Sequence, residues 1–288
     1  MKAKRQELPP LRLANGGLLD FTRTRVMGIL NTTPDSFSDG GLYVDVSLAV
    51  ERALEMVEEG ADIIDVGGES TRPGSESVSD EEQIRRTRPV IEGIRAHSEI
   101  PISIDTTSST VARAALAGGA SLINDISAFR FDEGMVPLIA ETGVPAIAMH
   151  TLGRPREMQS NPTYQDVVEE VRSHLQVRVE LCATAGVEPS QIVLDPGIGF
   201  GKELAHNLAL LRHLNVIKEM GHAVLIGTSR KSFLGQITGK DVNARAQATA
   251  SSVSASIILG ADIVRVHDIK ELRDTVLVAD AIRNGVHS

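Results

Sequence analysis

The chain alternates short, β-branched apolar runs with longer amphipathic segments from position 26 to near its C-terminal end. Apolar runs of this kind, buried on both faces, are typical of parallel strands joined by helices. Eight such runs occur: VMGIL from Val26, ADIIDVG from Ala61, PISID from Pro101, SLINDI from Ser121, PAIAMH from Pro145, IVLD from Ile192, AVLIGTS from Ala223 and DIVRVHD from Asp262. Eight strand–helix units in about 260 residues predict an α/β fold of the (β/α)8 TIM barrel type.

The segments between these runs carry the periodicity of amphipathic helices. In SLAVERALEMVEEG, Leu48, Ala53 and Val57 fall on one face, and Gly60 follows as a helix C-cap signal. The segments DEEQIRRTRPVIEGIRAH and YQDVVEEVRSHLQVRVELCATAG show the same pattern. A doubly wound open sheet is the rival architecture, but no glycine-rich dinucleotide fingerprint follows the first strand, so the barrel is favoured.

The segment before the first strand, residues 1–25, contains Asn15-Gly16-Gly17 between LRLA and LLDF. This pattern predicts a small hairpin, which we expect to plug the bottom of the barrel. A length of 288 residues permits one large domain or two small ones. No linker, repeat or low-complexity tract divides the chain, so we expect a single domain over residues 1–288, with the barrel over residues 26–286.

Charge and aromatic content restrict the partners. The 29 basic and 38 acidic side chains leave a net charge of −9, and the chain has no Trp, two Tyr and six Phe. A nucleic-acid binder needs a basic face and stacking rings, so nucleic acid is not an expected partner. No stretch approaches the roughly 20 uninterrupted apolar residues of a membrane span, so no membrane partner is expected either.

Cys182 is the one cysteine of the chain, which excludes an intramolecular disulfide. It has no CxxC or His-rich partner for a zinc site, and we expect it to pack in a helix as a small buried hydrophobe. The basic start MKAKRQ is followed by ELPPLRL instead of an apolar segment. We therefore expect no secretory signal and a reducing, cytoplasmic location.

Polar residues close the predicted strands. A barrel carries its chemistry at the carboxyl ends of its strands, and all eight runs here end in polar or glycine-rich sequence. Polar groups that close an apolar strand must be satisfied by hydrogen bonds or by a ligand. Four of them at one mouth predict a polar slot suited to a flat heterocycle, and these four are Asn31, Asp105, Asn124 and Asp195.

Three further carboxylates have other interpretations. Asp125 and Asp268 also end strands, but each could equally be the N-cap of the helix that follows. Asp65 lies inside the second strand, where we expect it to satisfy polar groups of the barrel rather than to contact substrate.

A second group at the strand ends is cationic and consists of Arg72, Lys231, Arg265 and His267. Three of them follow or end the seventh and eighth strands, where barrels of this class frequently build phosphate sites. Arginine offers a planar fork for phosphate oxygens and lysine a point charge. The sequence therefore predicts an anionic substrate despite the net charge of −9.

Two other patterns are excluded. DPGIGFGKE looks similar to a phosphate-binding P-loop, but Pro196 stands in place of the first glycine and Glu203 in place of the Ser/Thr. The eight histidines show no HExxH spacing, so a catalytic zinc is not expected.

The order of the motifs resembles that of the dihydropteroate synthase family, from about residue 26 to 280. The matching segments are MGILNTTPDSFSDGG from Met27, IIDVGGESTRPGS from Ile63, SIDT from Ser103, INDI from Ile123, MH at Met149, LDPGIGFGK from Leu194, IGTSRKSFLG from Ile226 and RVHD from Arg265. The resemblance implies condensation of 6-hydroxymethyl-7,8-dihydropterin pyrophosphate with 4-aminobenzoate, which yields 7,8-dihydropteroate and pyrophosphate in folate biosynthesis.

The resemblance also implies roles for individual residues. The implied hydrogen-bonding partners of the pterin are Asp105, Asn124, Asp195 and Lys231, with Arg265 stacked on the ring and Met149, Phe200 and Gly227 lining its pocket. Asn31 would coordinate Mg²⁺ on the pyrophosphate, whose oxygens would be held by Arg72, Arg265 and His267. The implied aminobenzoate site consists of Thr71, Pro73, Phe37, Lys231 and Ser232. Asp105 and Asp39 are the candidate carboxylates beside the charge that develops when pyrophosphate leaves a methylene conjugated to the pterin.

Two alternative functions fit part of the sequence. Methyltransferases that pass a methyl group from methyltetrahydrofolate to a corrinoid share the barrel and a similar pterin slot, but they have no pyrophosphate for Arg265 and His267 to hold. A non-catalytic paralogue that binds pterin would be expected to lack loop or metal residues that this sequence keeps. The family resemblance further implies a homodimer formed through the segments from about Asn243 and Lys270, and sulfonamides as inhibitors that mimic aminobenzoate.

Overall fold

The computed structural model describes residues 7–32, 42–70 and 74–285, with residues 42–45 described by their backbone. The predicted hairpin is confirmed: β1 (Leu11–Arg12) pairs antiparallel with β2 (Leu18–Leu19). Its buried side chains, with those of the residues that follow it, pack against the first interior residues of the barrel strands. The hairpin therefore closes the amino-terminal end of the barrel.

Eight parallel strands form a closed barrel in the order of the sequence, and the last strand pairs with the first. The predicted eight strands and the TIM barrel are thus confirmed. The strands are β3 (Arg25–Asn31), β4 (Ile63–Gly67), β5 (Ile102–Asp105), β6 (Leu122–Asp125), β7 (Ala146–Met149), β8 (Ile192–Asp195), β9 (Ala223–Ile226) and β10 (Ile263–Val266).

Ten α-helices surround the barrel in the described part of the chain. They are α1 (Leu42–Glu59), α2 (Asp80–Arg95), α3 (Ser109–Ala117), α4 (Met135–Thr142), α5 (Val167–Thr184), α6 (Leu204–Arg212), α7 (Leu214–Lys218), α8 (Ser232–Thr238), α9 (Ala246–Leu259) and α10 (Ile269–Asn284). Two strands are followed by a pair of helices instead of one. The break between α6 and α7 falls at His213, whose backbone leaves the helical region, and α8 ends at the left-handed Gly239.

Local signals in the sequence set the helix ends. Gly60 adopts a φ of 105° directly after α1, as the C-cap signal predicts. The Asp166 side chain accepts the N–H groups of Val168 and Glu169 at 3.0 and 3.1 Å, which caps α5. The amphipathic pattern that starts at Tyr164 therefore becomes helix only from Val167.

The register of the barrel places the strand-end residues side by side. Asn31 pairs with Gly67, and Gly67 in turn pairs with Asp105 on the next strand. Asp105 pairs with Asn124. Because all strands are parallel, these residues share the carboxyl end of the barrel.

Cys182 is buried in α5, as predicted. Within the described ranges, none of the helices has the length and apolar character that crossing a bilayer requires.

Candidate active site

The predicted polar slot is present at the barrel mouth. Asp105, Asn124 and Asp195 end or nearly end three strands and are 7%, 4% and 5% exposed. Arg265 projects from β10 with a side chain that is 20% exposed. Buried polar groups require hydrogen-bond partners or opposite charges. The hydrogen bonds and charge interactions of these four side chains determine the geometry of the site.

Arg265 joins two carboxylates from neighbouring strands. Its Nε donates to Asp65 Oδ2 at 2.6 Å, and its Nη2 donates to Asp105 Oδ2 at 2.7 Å. Asn124 Nδ2 donates to the same Oδ2 of Asp65 at 3.0 Å. The prediction that Asp65 satisfies polar groups of the barrel is confirmed, and two of the groups it satisfies are site residues.

Asp105 keeps one oxygen for a ligand. Burial, opposed by the Arg265 charge, raises the pKa of Asp105 to about 7. Its Oδ1 is buried and has no hydrogen-bond partner among the described residues. An acceptor left unpaired in a buried position is suited to a donor on a bound molecule.

Asp195 and Lys231 interact through their charges at the slot. Burial raises the pKa of Asp195, and the Lys231 charge opposes that rise. Burial lowers the pKa of Lys231 to about 8, and the Asp195 charge opposes that fall. Lys231 Nζ also donates to the carbonyl oxygen of Ile198. The pair places a carboxylate and an ammonium group at the same slot, as the resemblance implies.

The loop after β8 is a coil with glycine at three left-handed positions. Gly197, Gly199 and Gly201 have φ values of 71°, 83° and 65°, and a Cβ on Gly197 would lie 1.9 Å from the carbonyl oxygen of His150. The coil brings the Phe200 ring to 4.8 Å from Lys231 Nζ, in cation–π contact. DPGIGFGK therefore shapes a wall of the slot and does not form a P-loop.

Lys202 is a buried residue of this loop that sequence reasoning missed. It is 3% exposed, and its Nζ donates to His150 Nδ1 and to the Phe200 carbonyl oxygen, each at 2.9 Å. Burial lowers the pKa of His150 far below its ordinary value, so the imidazole is neutral and accepts at Nδ1. The only available signal was a lysine at the end of a glycine-rich motif, which is equally typical of a solvated side chain.

Met149 and Gly227 line the mouth as the resemblance implies. Met149 ends β7, is 4% exposed and pairs in register with Asp195. A Cβ on Gly227 would lie 3.7 Å from Arg265 Cβ and 3.8 Å from Lys231 Nζ. The absent side chain thus leaves space between the two cationic residues.

His267 lies beside the loop after β9. Its Nδ1 is 3.0 Å from Ser229 Oγ, and its backbone N–H donates to the same oxygen at 3.3 Å. Ser232 is the first residue of α8 and is exposed. The structure therefore brings Lys231, Ser232, Arg265 and His267 to the carboxyl ends of the last two strands.

The two strand-end carboxylates with open interpretations have partners of their own. Asp125 is not a helix cap, since its Oδ1 accepts the N–H and the hydroxyl of Ser127 at 2.6 Å in a turn, and α4 begins ten positions later. Burial raises the pKa of Asp125 to about 6. Asp268 occupies the N-cap position of α10 without a capping bond, because its carboxylate pairs with Arg230 Nε at 2.9 Å.

Asn31 is the predicted metal ligand and ends β3 as a half-buried residue. Its Oδ1 would be 3.8 Å from a Cβ on Gly67, beside Asp105. Within the described ranges, no three His, Cys, Asp or Glu side chains form a metal cluster. A single oxygen donor fits Mg²⁺, which is ordinarily held by one or two protein oxygens together with substrate phosphates.

Five predicted site residues lie outside the described residues. Phe37 and Asp39 belong to residues 33–41, and Thr71, Arg72 and Pro73 are residues 71–73. Their predicted roles at the pyrophosphate and aminobenzoate sites stay predictions.

Comparisons with known proteins show the family of the chain. The sequence profile described as pterin binding enzyme matches residues 27–267. Dihydropteroate synthase from Synechocystis sp. is 47% identical over 276 residues, which are 95% of each chain. The solved Xanthomonas albilineans dihydropteroate synthase with 4-aminobenzoic acid has a TM-score of 0.90 at 42% identity and covers 97% of this chain and 100% of its own. The Yersinia pestis dihydropteroate synthase, solved in a sulfonamide drug complex, has a TM-score of 0.90 at 39% identity, with 96% and 100% covered.

The matches span the barrel strands and the mouth described above. They agree with the motif order and with the closed eight-stranded barrel. The chain belongs to the pterin binding enzyme family and, within it, to the dihydropteroate synthases.

Proposed function

We propose that the barrel mouth carries out dihydropteroate synthesis by binding the pterin ring among Asp105, Asn124 and Asp195 and its pyrophosphate beside the cations of the last two strands. As a dihydropteroate synthase, the chain is a transferase of folate biosynthesis that joins 6-hydroxymethyl-7,8-dihydropterin pyrophosphate to 4-aminobenzoate. The observation that carries the residue assignment is the unpartnered, buried Oδ1 of Asp105 beside the Arg265 guanidinium.

The slot matches the hydrogen-bonding edges of a pterin. A pterin presents ring N–H and amino donors next to ring-nitrogen and carbonyl acceptors in one plane. Asp105 Oδ1 and the Asp195 carboxylate are acceptors, while Lys231 is a donor. Asn124 supplies a carboxamide whose NH2 group is partly committed to Asp65. Phe200, Met149 and Gly227 add an apolar surface against which a flat ring packs.

Arg265 keeps donors for the leaving group. A guanidinium has five N–H donors, and two of them are committed here to Asp65 and Asp105. We assign the remaining N–H groups to pyrophosphate oxygens, with His267 and Arg72 as the other predicted pyrophosphate ligands. Positive charge at this position stabilises the pyrophosphate as the bond between the pterin methylene carbon and its oxygen breaks and the electron pair leaves with the oxygen.

The carboxylates of the site are proposed to stabilise the positive charge that develops during the reaction. When pyrophosphate leaves, positive charge develops on the methylene and the conjugated pterin, and we assign the Asp105 carboxylate to stabilise that charge, with Asp39 as the second predicted carboxylate. The amine of 4-aminobenzoate, positioned by Lys231 and Ser232 with Thr71, Pro73 and Phe37, then forms the new C–N bond and loses a proton. Burial of the slot keeps water from competing for the cation.

We also propose Mg²⁺ as the cofactor, with Asn31 Oδ1 as a protein ligand. Bound there, Mg²⁺ would neutralise part of the pyrophosphate charge. Asn31 fits this role because its carboxamide oxygen lies at the mouth beside Gly67 and Asp105.

A homodimer is proposed through α9 and α10. These helices pack on each other and carry large exposed apolar side chains, which are Ile258, Leu259, Leu277, Val278 and Ile282. Large exposed apolar side chains on two packed helices favour a protein interface at this face. The cytoplasmic location and the single domain over residues 1–288 stay predictions.

Turnover of the defined substrates tests the proposed function. Purified protein is incubated with dihydropterin pyrophosphate, 4-aminobenzoate and Mg²⁺, and dihydropteroate and pyrophosphate are quantified. We expect both products in equal amounts, and we expect Asp195→Ala and Lys231→Ala to lose turnover while their circular dichroism stays that of the wild type. Product formation at the background rate would contradict the function, and unchanged turnover of either variant would contradict its placement.

A further inference from the structure

Asp65 lies one layer beneath the polar slot. It is 0% exposed and faces the barrel interior from the middle of β4. In register it pairs with Ser103, while Gly67, two residues further along β4, pairs with Asp105. Asp65 is therefore at the floor of the slot, below the residues proposed to touch the pterin.

A single oxygen of Asp65 holds two of those residues. Its Oδ2 accepts Asn124 Nδ2 at 3.0 Å and Arg265 Nε at 2.6 Å, from strands on either side of it in the barrel. Its Oδ1 is buried without a hydrogen-bond partner among the described residues. Charge-assisted hydrogen bonds such as these are short and directional, so the position of Oδ2 constrains both side chains.

The contact with Asn124 determines which end of the amide is left for a ligand. An ionised carboxylate only accepts hydrogen bonds, so the NH2 group of Asn124 must face Asp65. The carboxamide Oδ1 then lies on the other side of the amide. With a carboxylate beneath it, Asn124 offers an acceptor to the pterin in one defined orientation.

The contact with Arg265 orients the guanidinium in the same way. Nε is committed to Asp65, and Nη2 points to Asp105 at 2.7 Å. Two bonds along one edge fix the plane of the guanidinium, which leaves its other N–H groups facing away from that edge. Loss of the Asp65 carboxylate would therefore leave both the Arg265 guanidinium and the Asn124 carboxamide free to rotate.

We propose that Asp65 is a positioning residue of the pterin site, which orients the Asn124 amide and the Arg265 guanidinium through one shared carboxylate oxygen. The proposal rests on the proposed function of the mouth. Asp65 itself does not touch the substrate.

Asp65→Asn and a matched variant, Asp62→Asn, test the proposal. Asp62 lies directly before β4, and its carboxylate also holds two arginines, Arg23 at 2.8 Å and Arg25 at 3.2 Å, but at the opposite end of the barrel. Both variants weaken the charged contacts of a carboxylate with arginine, so both are expected to lower the melting temperature. Only Asp65→Asn is expected to raise the KM for dihydropterin pyrophosphate, by roughly tenfold to a hundredfold, as expected for a lost charged hydrogen bond.

The acid limb of kcat/KM is a second readout that a purely structural role would not move. Asp105 is faced by Arg265 from β10, Asp65 and Glu69 from β4 and its following loop, and Asp125 from β6. Of these, Asp65 raises the pKa of Asp105 through its negative charge, so Asp65→Asn is expected to shift the acid limb to lower pH. Asp62→Asn is expected to leave that limb unchanged.

If Asp65→Asn does not fold, the charge-preserving variant Asp65→Glu tests the positioning role. Asp65→Glu keeps the charge but displaces the oxygen, so it is expected to raise KM without shifting the acid limb. If wild type turns over and a folded Asp65 variant keeps the wild-type KM, the positioning role is overturned while the proposed function stands. A wild type without turnover overturns the proposed function and, with it, this inference.

Discussion

Lys202 donates from its buried ammonium group to Nδ1 of His150 across 2.9 Å, and this contact joins the loop after β8 to the end of β7. Lys202 also donates to the carbonyl oxygen of Phe200 at 2.9 Å. Burial lowers the pKa of Lys202 to about 7, and the Asp195 charge opposes that fall. Through these two hydrogen bonds, Lys202 fixes the position of the glycine coil, including Phe200, beside the slot.

Replacing Lys202 is expected to affect substrate binding more than folding. In Lys202→Met the carbonyl of Phe200 and the imidazole of His150 lose their donor, while the apolar side chain avoids the cost of burying a charge. We expect the KM for dihydropterin pyrophosphate to rise about three- to tenfold, with kcat changed by less than about twofold. Steady-state kinetics beside the exposed control Lys240→Met measures this. A folded variant with an unaltered KM would show that the contact does not shape the slot.

The pH dependence of kcat/KM follows from two shifted groups at the slot. Asp105, with a pKa raised to about 7 by burial, loses its charge as the pH falls through that value. Lys231, with a pKa lowered to about 8 by burial, loses its charge as the pH rises through that value. Both groups are charged only between these values, so we expect a bell-shaped profile with its maximum between them.

Lys231→Arg separates the two limbs of that profile. A guanidinium stays protonated throughout this range, so the alkaline limb is expected to disappear while the acid limb remains. The overall kcat/KM is expected to fall about tenfold, because the larger head group must fit where Lys231 Cδ already lies 3.2 Å from a Cβ position on Gly199. An alkaline limb that persists in the variant would assign it to another group.

Much of this architecture is visible in the sequence for a physical reason. Strands buried on both faces must be nearly continuous apolar runs, so the eight strands and the polar residues that end them could be located. The same pattern indicates Asp105, Asn124 and Asp195, because a polar residue that closes such a run needs a partner. The hairpin around Asn15-Gly16 was equally visible from its turn residues.

Other features depend on partners that lie far apart in the chain. Asp65 holds Asn124, 59 positions away, and Arg265, 200 positions away, and no local pattern connects the three. Asp268 follows a strand as a cap would, yet its carboxylate pairs with Arg230 instead. In the sequence Lys202 looks like a solvated lysine, but in the structure the glycine coil buries it against His150. Such pairings become apparent only when the barrel closes.

Sulfonamides are expected to inhibit the enzyme by competing with 4-aminobenzoate. The solved Yersinia pestis relative is a sulfonamide drug complex, and the proposed aminobenzoate site here includes Lys231 and Ser232. The sulfonamide concentration that halves the rate should rise in proportion as aminobenzoate is added above its KM. Inhibition independent of the aminobenzoate concentration would place the drug elsewhere.

The proposed dimer is expected to dissociate when a charge is placed on α10. Val278 is 58% exposed on that helix, and Val177, 59% exposed on α5, provides a control with equal exposure. Light scattering should give twice the 30.8 kDa chain mass for wild type and Val177→Glu, and the single chain mass for Val278→Glu. A wild type that is monomeric, or a Val278→Glu variant that remains dimeric, would exclude this interface.

The most direct test of the central claim is a crystal structure of the protein with a bound pterin. The account predicts a ring hydrogen-bonded to Asp105 Oδ1 and Asp195, with Asn124 offering its carboxamide oxygen from above Asp65. A pterin bound away from these three side chains, with the slot otherwise unchanged, would contradict the assignment of the mouth as the pterin site.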